Sequence, residues 1–152
     1  MANIPQTEKP YQVCLFSCPA YKPFHFAKHT WFVITTPKGT ERWEVLHYKN
    51  IKNPAMTYVH KDNLPPIQGI KKSMLDPSYW DSTLLTSIDG EKNSLAHRIA
   101  QFIEQYSPQY QYKGRYVLYP GPNSNSYVAW VLEKFPEWKP ALPWNAFGKK
   151  YK

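Results

Sequence analysis

Residues 30–48 constrain the fold of this chain most strongly, because they predict a β-hairpin. Residues 30–36 read T-W-F-V-I-T-T, and β-branched and aromatic residues are typical of strands. The sequence P-K-G-T at 37–40 predicts a turn, and residues 42–48 predict the returning strand. An antiparallel pair of strands therefore forms the start of the predicted sheet.

The centre of this turn sets which residues face each other. A turn centred on its Lys-Gly pair places His29 opposite Tyr48 and Glu44 opposite Val33. Alternate residues of a strand share a face, so His29 and Glu44 point the same way. On this register they lie two cross-strand pairs apart, which is too far for a direct hydrogen bond without a bulge.

The rest of the chain predicts the α+β class, an antiparallel sheet with about two helices. Further strands are predicted over 11–17, within 53–60, over 82–88 and over 116–119. Helices are predicted over 93–106 and 126–135, where apolar residues recur at helical spacing. The three prolines and low periodicity of 61–79 predict a long loop, and whether it acts as a lid stays open. We expect one domain over 1–152, with residues 1–10 flexible and the proline-rich tail 136–152 packed on the core.

Composition narrows the class of protein. Of the 152 residues, 42% are hydrophobic and 16% aromatic, which is inconsistent with a disordered chain. No apolar run approaches the ~18 residues of a membrane span, and residues 1–9 contain no apolar signal-peptide core. We expect a cytoplasmic protein, with export by a route that needs no N-terminal signal as the alternative. Oligomeric state stays open.

The net charge of +8 favours anionic partners in general. However, the basic residues are sixteen lysines and only three arginines, and arginine makes most bidentate phosphate and base contacts. Specific nucleic-acid binding is therefore disfavoured, and a basic binder of an anionic polymer is the third of three functional alternatives.

Two cysteines and two histidines raise the question of a metal site. On one strand the Cα atoms of Cys14 and Cys18 would lie ~13 Å apart, whereas a disulfide needs less than ~7 Å, so we expect reduced thiols. Together with His25 and His29 they form C-x3-C-x6-H-x3-H, whose ligand types suit zinc. The central spacing is about half that of a zinc finger, so we predict no metal and no other cofactor.

The stretch Y-P-G-P-N-S-N-S at 119–126 ends one element and opens a helix. Small polar residues cap helices, and backbone N–H groups at a helix N-terminus favour negative charge. Ser124 in this position is a candidate nucleophile, although a simple capping role explains the same residues. The Gly-x-Ser-x-Gly elbow of the α/β hydrolases is absent.

The chain resembles a bacterial family described as domain of unknown function 3750. The segments that carry the resemblance extend over most of the chain, and the most specific of them is P-G-P-N-S-N. They are P-A at 19–20, H-T-W-F at 29–32, R-W-E-V at 42–45, Y-W at 79–80, D-G-E at 89–91, Y-P-G-P-N-S-N-S at 119–126, L-P at 142–143 and F-G-K at 147–149. The resemblance implies no established activity.

A remoter resemblance is to the circularly permuted papain-like group, which includes NlpC-type peptidases and relatives of lecithin:retinol acyltransferase. There a strand histidine precedes a cysteine at a helix N-terminus. The resemblance implies an NlpC-type core with Ser124 as nucleophile, His29 as base and Glu44 on the second strand. This chain departs from the group by having serine where the group has cysteine, and serine depends more strongly on its base and oxyanion hole.

These observations predict an amidase, peptidase or acyl hydrolase, with a non-catalytic peptide-, glycan- or lipid-binding module on the same fold as the alternative. His29 would take the proton of Ser124, with Glu44 or Tyr48 supporting the histidine. The backbone N–H groups of Asn125 and Ser126 would form part of an oxyanion hole. The residues expected to contact substrate are Tyr119, Asn123, Asn125, Trp31 and Tyr48.

Overall fold

The chain folds around one five-stranded sheet in which every neighbouring pair of strands is antiparallel. A computed structural model describes residues 2–152. The strands are β1 (Tyr11–Pro19), β2 (Lys28–Thr36), β3 (Gly39–Val45), β4 (Val59–Lys61) and β5 (Thr83–Gly90), in the order β4-β3-β2-β1-β5. The helices are α1 (Leu95–Tyr106) and α2 (Ser124–Glu133), with short 3-10 helices at Pro54–Met56 and Ser107–Gln109. The predicted α+β class is confirmed.

The hairpin of β2 and β3 forms, but its predicted register is wrong. Thr36 pairs with Gly39 and Phe32 with Trp43, so the loop holds only Pro37 and Lys38. Gly39 has a φ of +132°, a conformation that side chains other than glycine rarely adopt. Every cross-strand partner is therefore shifted by two residues from the predicted one. The shift keeps each side chain on its predicted face, but it halves the separation along the strands between His29 and Glu44.

Two other predicted elements differ from the structure. Residues 116–119 belong to no strand; the Val117 N–H instead donates to the Pro122 carbonyl at 2.8 Å. Helix α2 begins at Ser124, two residues earlier than predicted, because Asn123 caps it. The predicted long loop over 61–79 is present, apart from the end of β4 and an isolated bridge between Lys71 and Tyr79.

Both faces of the sheet are covered. One face packs against α1 and α2 through an apolar core that includes Phe32, Ile99 and Val131. The other face carries a smaller core around Cys14, Cys18 and Trp31, with side chains of the 61–79 loop packed over it. A buried side chain on either face thus loses contact with water, which is the main source of stability.

The two cysteines lie on the same face of β1, within the smaller core. Cys14 and Cys18 are buried and free, as expected for residues four apart on one strand. Burial raises the pKa of each thiol to about 12, so both stay protonated at neutral pH.

Both ends of the described chain contact the core. Ala2 and Ile4 pack against the smaller core, and the Gln12 amide donates to the Pro5 carbonyl at 2.9 Å. In the tail, Trp138 joins the core beneath the helices and Ala146 is buried. Across residues 2–152, no helix combines the length and hydropathy needed to cross a bilayer.

Replacing Ile99 by alanine tests the core beneath α1. Ile99 is fully buried, so we expect Ile99→Ala to lower the free energy of unfolding by about 2–5 kcal/mol through lost burial and a residual cavity. The matched control is Ile51→Ala, because Ile51 is 89% exposed, and we expect a change within about 0.5 kcal/mol. Urea unfolding measures both, and equal effects would contradict the described packing.

Candidate active site

The N-terminus of α2 is closed by a reciprocal cap. The Asn123 side-chain oxygen accepts hydrogen bonds from the backbone N–H groups of Asn125 at 2.9 Å and Ser126 at 3.3 Å. The Ser126 hydroxyl in turn accepts from the Asn123 N–H at 3.1 Å and donates to the Gly148 carbonyl at 2.7 Å. The capping explanation is thus correct for Asn123 and Ser126. Because Asn123 is the N-cap, the helix begins at the next residue, Ser124.

Ser124 is the one polar residue of this turn that the cap leaves unused. A helix has four N-terminal N–H groups without intrahelical partners, and the cap satisfies those of Asn123, Asn125 and Ser126. Within residues 2–152 neither the N–H nor the hydroxyl of Ser124 has a hydrogen-bond partner. The predicted oxyanion hole on Asn125 and Ser126 is therefore wrong, and the free N–H of the helix terminus is that of Ser124 itself.

Asn125 joins three parts of the chain near Ser124. Its side-chain nitrogen donates to the carbonyls of Lys28 and Phe147, each at 2.8 Å, and its oxygen accepts from the Thr30 hydroxyl at 2.7 Å. The amide is fully used by the protein. Asn125 therefore holds α2 against the start of β2, and it also lines the cavity that Ser124 borders.

His29 lies at the start of β2 and bonds directly to Glu44. His29 Nε2 and Glu44 Oε1 are 2.8 Å apart, and both side chains are buried. The predicted separation of His29 and Glu44 was too large because the predicted register of the β2–β3 hairpin was wrong. On the observed register Glu44 faces the strand position two residues from His29, and such diagonal neighbours reach each other with long side chains. Glu44, not Tyr48, is the partner of His29.

A buried arginine, which the sequence analysis did not assign to the site, completes this group. Arg42 Nε donates to Glu44 Oε2 at 2.6 Å and Nη2 donates to Oε1 at 2.9 Å. Its remaining group, Nη1, donates to the carbonyls of Pro65, at 2.7 Å, and Gln68. Both charged side chains are fully buried, and such a pair persists because each charge is matched and hydrogen-bonded. The 61–79 loop thus supplies the acceptors that satisfy Arg42.

The ionisation state of Glu44 follows from these contacts. Burial by itself raises the pKa of the carboxyl group, but the charge of Arg42 and the hydrogen bond to His29 outweigh it and lower the pKa to about 2. Glu44 is therefore a carboxylate at neutral pH, and a carboxylate only accepts hydrogen bonds. When His29 is neutral, Nε2 must carry the proton that Glu44 accepts, which leaves the lone pair on Nδ1.

His29 and Ser124 border the same cavity. This cavity has a volume of about 460 Å³ and also contacts the side of Asn123, Tyr119 and His47. Most of its remaining wall is aromatic or aliphatic. His29, whose Nε2 bonds to Glu44, and Ser124, which is unpartnered at the helix N-terminus, thus border one concave, largely apolar surface.

Two of the predicted substrate-contacting residues lie elsewhere. Trp31 is fully buried beneath the site, where it stacks on the His29 ring, lies 4.1 Å from the Arg42 guanidinium carbon and donates to the Pro66 carbonyl at 2.9 Å. Tyr48 is half-exposed and outside the cavity wall; its hydroxyl accepts from the Asn63 amide at 2.8 Å. Neither side chain lines the cavity.

The cysteines and His25 do not form a metal site with His29. Cys14 and Cys18 lie within the smaller core, whereas the His25 side chain is exposed. In the part of the chain that the structure describes, no group of three or more histidine, cysteine or acidic side chains is placed to hold a metal ion.

Comparison with known proteins places the chain in a family. The family model described as protein of unknown function (DUF3750) matches residues 11–151, which includes the whole sheet, both helices and the cavity. The chain belongs to the DUF3750 family. Neither the search of curated proteins nor the search of solved structures found a match.

The sequence of this DUF3750 chain contains a pattern that indicates a site role for Arg42. Arg42 and Glu44 are two residues apart on a predicted strand, so they share a face with His29. An arginine and a glutamate on a face that is otherwise apolar indicate a buried pair. The apolar cavity wall, in contrast, comes from loops, whose arrangement no local pattern predicts.

Replacing Glu44 by glutamine tests the buried charge pair. The folded pKa of about 2 lies below the ordinary value of 4.5, so Glu44 contributes stability above pH 4.5 that is lost as the pH falls towards 2. We expect Glu44→Gln to be less stable by about 3 kcal/mol at pH 7, because Arg42 loses its counter-ion, and the difference to shrink below pH 4.5. Urea unfolding between pH 7 and pH 3 measures it.

Glu91→Gln is the matched control for this DUF3750 chain. Glu91 is 68% exposed and pairs with Lys9 at 3.2 Å on the surface, so its replacement should change stability by less than about 0.5 kcal/mol. A Glu44→Gln difference that stays constant from pH 7 to pH 3 would show that folding does not lower the pKa of Glu44, and it would contradict the described charge pair.

Proposed function

We propose that this protein is a serine-dependent hydrolase of the permuted papain-like type, which acts on an ester or amide. Ser124 is the nucleophile, His29 the base and Glu44 the residue that orients the histidine. The observation that carries the proposal is that His29, whose Nε2 bonds to Glu44, borders the same cavity as Ser124, whose hydroxyl has no hydrogen-bond partner among the described residues. A nucleophile, a base that accepts its proton and an acidic residue that orients the base are the groups that acyl transfer of this type uses.

The reaction requires one acyl-enzyme intermediate. Ser124 Oγ attacks the carbonyl carbon, and its proton passes to His29 Nδ1. The tetrahedral intermediate collapses, the bond to the leaving group breaks, and the leaving alcohol or amine takes the proton from His29. Water then attacks the acyl-serine ester, gives its proton to Nδ1, and the acid is released as Ser124 regains that proton. The Ser124 N–H is a donor for the developing oxyanion.

Glu44 and Arg42 support this chemistry without touching the substrate. The carboxylate stabilises the imidazolium that forms when Nδ1 gains the proton, and the hydrogen bond to Nε2 holds the ring orientation. Arg42 keeps Glu44 ionised through its charge and two hydrogen bonds. Both are positioning residues.

A fluorophosphonate probe tests the proposed nucleophile. An activated serine attacks the phosphorus atom of the probe and displaces fluoride, which leaves a stable covalent adduct. We expect one adduct per wild-type chain, located at Ser124 by mass spectrometry. Labelling should be lost in Ser124→Ala and slowed at least about tenfold in His29→Ala, because the base is removed.

Ser17→Ala is the matched control for the labelling experiment. Ser17 is a buried serine on β1 outside the cavity wall, so its replacement should leave the adduct unchanged. An intact wild-type protein that is not labelled, or labelling that persists in Ser124→Ala, would contradict the proposed nucleophile.

A non-catalytic binding module is the second candidate function. The largely apolar cavity favours it, because a cavity that binds an apolar ligand needs no reactive group. On this alternative Ser124 only contacts the ligand, and the His29–Glu44–Arg42 group stabilises the sheet.

Ser124→Cys distinguishes the two functions. The native thiols of Cys14 and Cys18 are buried, and burial raises the pKa of each to about 12, so the wild-type protein provides an unreactive background. Under the hydrolase proposal, iodoacetamide should modify residue 124 at pH 6 at least about tenfold faster than in the Ser124→Cys, His29→Ala double variant, because His29 stabilises the thiolate. Equal rates in the single and double variants would favour the binding module.

A further inference from the structure

The chemistry of the cavity wall restricts what the site can accept. Six wall residues on four separate segments are apolar or aromatic: Phe24, Phe26, Ile70, Leu118, Tyr119 and Phe147. No acidic side chain is among the wall residues, and the only lysine is Lys28. Tyr116 also lines the cavity, and burial raises the pKa of its phenol to about 12, so it adds no charge at neutral pH. A peptide with charged side chains would find no partners for them here.

Aromatic side chains continue from this wall onto the surface. Phe147 contacts the rings of Phe26, Tyr119 and Trp144, with centroid separations of 6.5, 6.0 and 6.2 Å. Phe26 is 63% exposed, Tyr119 72% and Trp144 80%. We call these four residues the aromatic rim. Exposed aromatic residues are common singly, but three that each contact the half-buried Phe147 beside an apolar cavity indicate a surface that is covered when a ligand binds.

We infer that the cavity binds the apolar acyl chain of an ester or amide, with the chain against the wall and the aromatic rim and the carbonyl carbon at Ser124. Ser124 and His29, whose polar groups are proposed to act on the carbonyl, line the same cavity as the apolar wall residues. The apolar remainder fits a hydrocarbon chain, whose burial supplies the binding free energy. The placement of the carbonyl carbon at Ser124 rests on the proposed function. The inference that an apolar chain fills the cavity rests only on the residues that line it.

Binding of cis-parinaric acid tests the occupant. This polyene fatty acid becomes fluorescent when it leaves water for an apolar site. We expect saturable fluorescence with wild-type protein and with Ser124→Ala, because the chain contacts the wall and not the hydroxyl. We expect 1-decanol, which is uncharged, to displace the probe, and a tetrapeptide of alanine, glutamate, lysine and alanine to leave it bound.

Two kinds of variant locate the bound chain. Ala27 is a buried wall residue, so Ala27→Leu should fill part of the cavity and weaken binding about tenfold. The double variant Phe26→Ser, Tyr119→Ser changes only exposed residues and should weaken binding by a similar factor without unfolding the chain. The matched control is Leu75→Ser, because Leu75 is 93% exposed and lies outside the cavity wall.

The outcomes separate this inference from the proposed function. Parinaric acid binding that is lost in the rim variant, combined with absent fluorophosphonate labelling, supports an acyl-chain site and rejects the hydrolase. Labelling of Ser124 without parinaric acid binding supports the hydrolase and overturns the inference. Displacement by the peptide, or equal binding by the rim variant and Leu75→Ser, also overturns it.

The acyl chain could arrive from solution or from a bilayer. Sedimentation with vesicles of phosphatidylcholine and phosphatidylglycerol distinguishes these sources. Co-sedimentation that is lost in the Phe26→Ser, Tyr119→Ser variant supports uptake from a bilayer. Parinaric acid binding without co-sedimentation supports a soluble acyl compound.

Discussion

The buried ion pair between Arg42 and Glu44 is the interaction on which the rest of the site depends. Two charges without water require complete hydrogen bonding, and that requirement determines their surroundings. The guanidinium donates to the carbonyls of Pro65 and Gln68, which fixes the loop across the sheet, and the carboxylate accepts a hydrogen bond from His29 Nε2. A chain segment without regular structure is thus held in place by side-chain hydrogen bonds, because a buried cation needs its backbone oxygens.

The sequence predicted the hairpin but not its register, and the register determines whether His29 and Glu44 can bond. The β-branched and aromatic residues of β2 make a strand under any turn, so the strand was predictable from composition alone. The register depends on whether the loop contains two residues or more, and a P-K-G-T sequence is compatible with both. A shift of two residues keeps every side chain on its face. It also brings His29 and Glu44 from beyond reach to 2.8 Å.

The start of the second helix was predictable from neighbouring residues, whereas the cavity was not, because distant segments form it. Ser124 at a helix N-terminus follows from local capping chemistry, and the sequence places it within two residues of the observed start. The roles within the cap do not follow from composition, since asparagine and serine alternate in N-S-N-S and only the three-dimensional contacts show which are used. The cavity wall comes from segments around Phe24, Leu118 and Phe147, which are distant in sequence, so its apolar character was not predictable from any one of them.

Asn125 has a consequence for when the site can exist during synthesis. Its side chain bonds to Lys28, 97 residues earlier, and to Phe147, 22 residues later, and the cap residue Ser126 bonds to Gly148. A nascent chain that has left the ribosome only as far as the second helix has the serine and the histidine but lacks the tail carbonyls that hold them in register. The arrangement at the start of the second helix therefore requires the tail as well as the sheet, and an incomplete chain would carry the residues without these contacts.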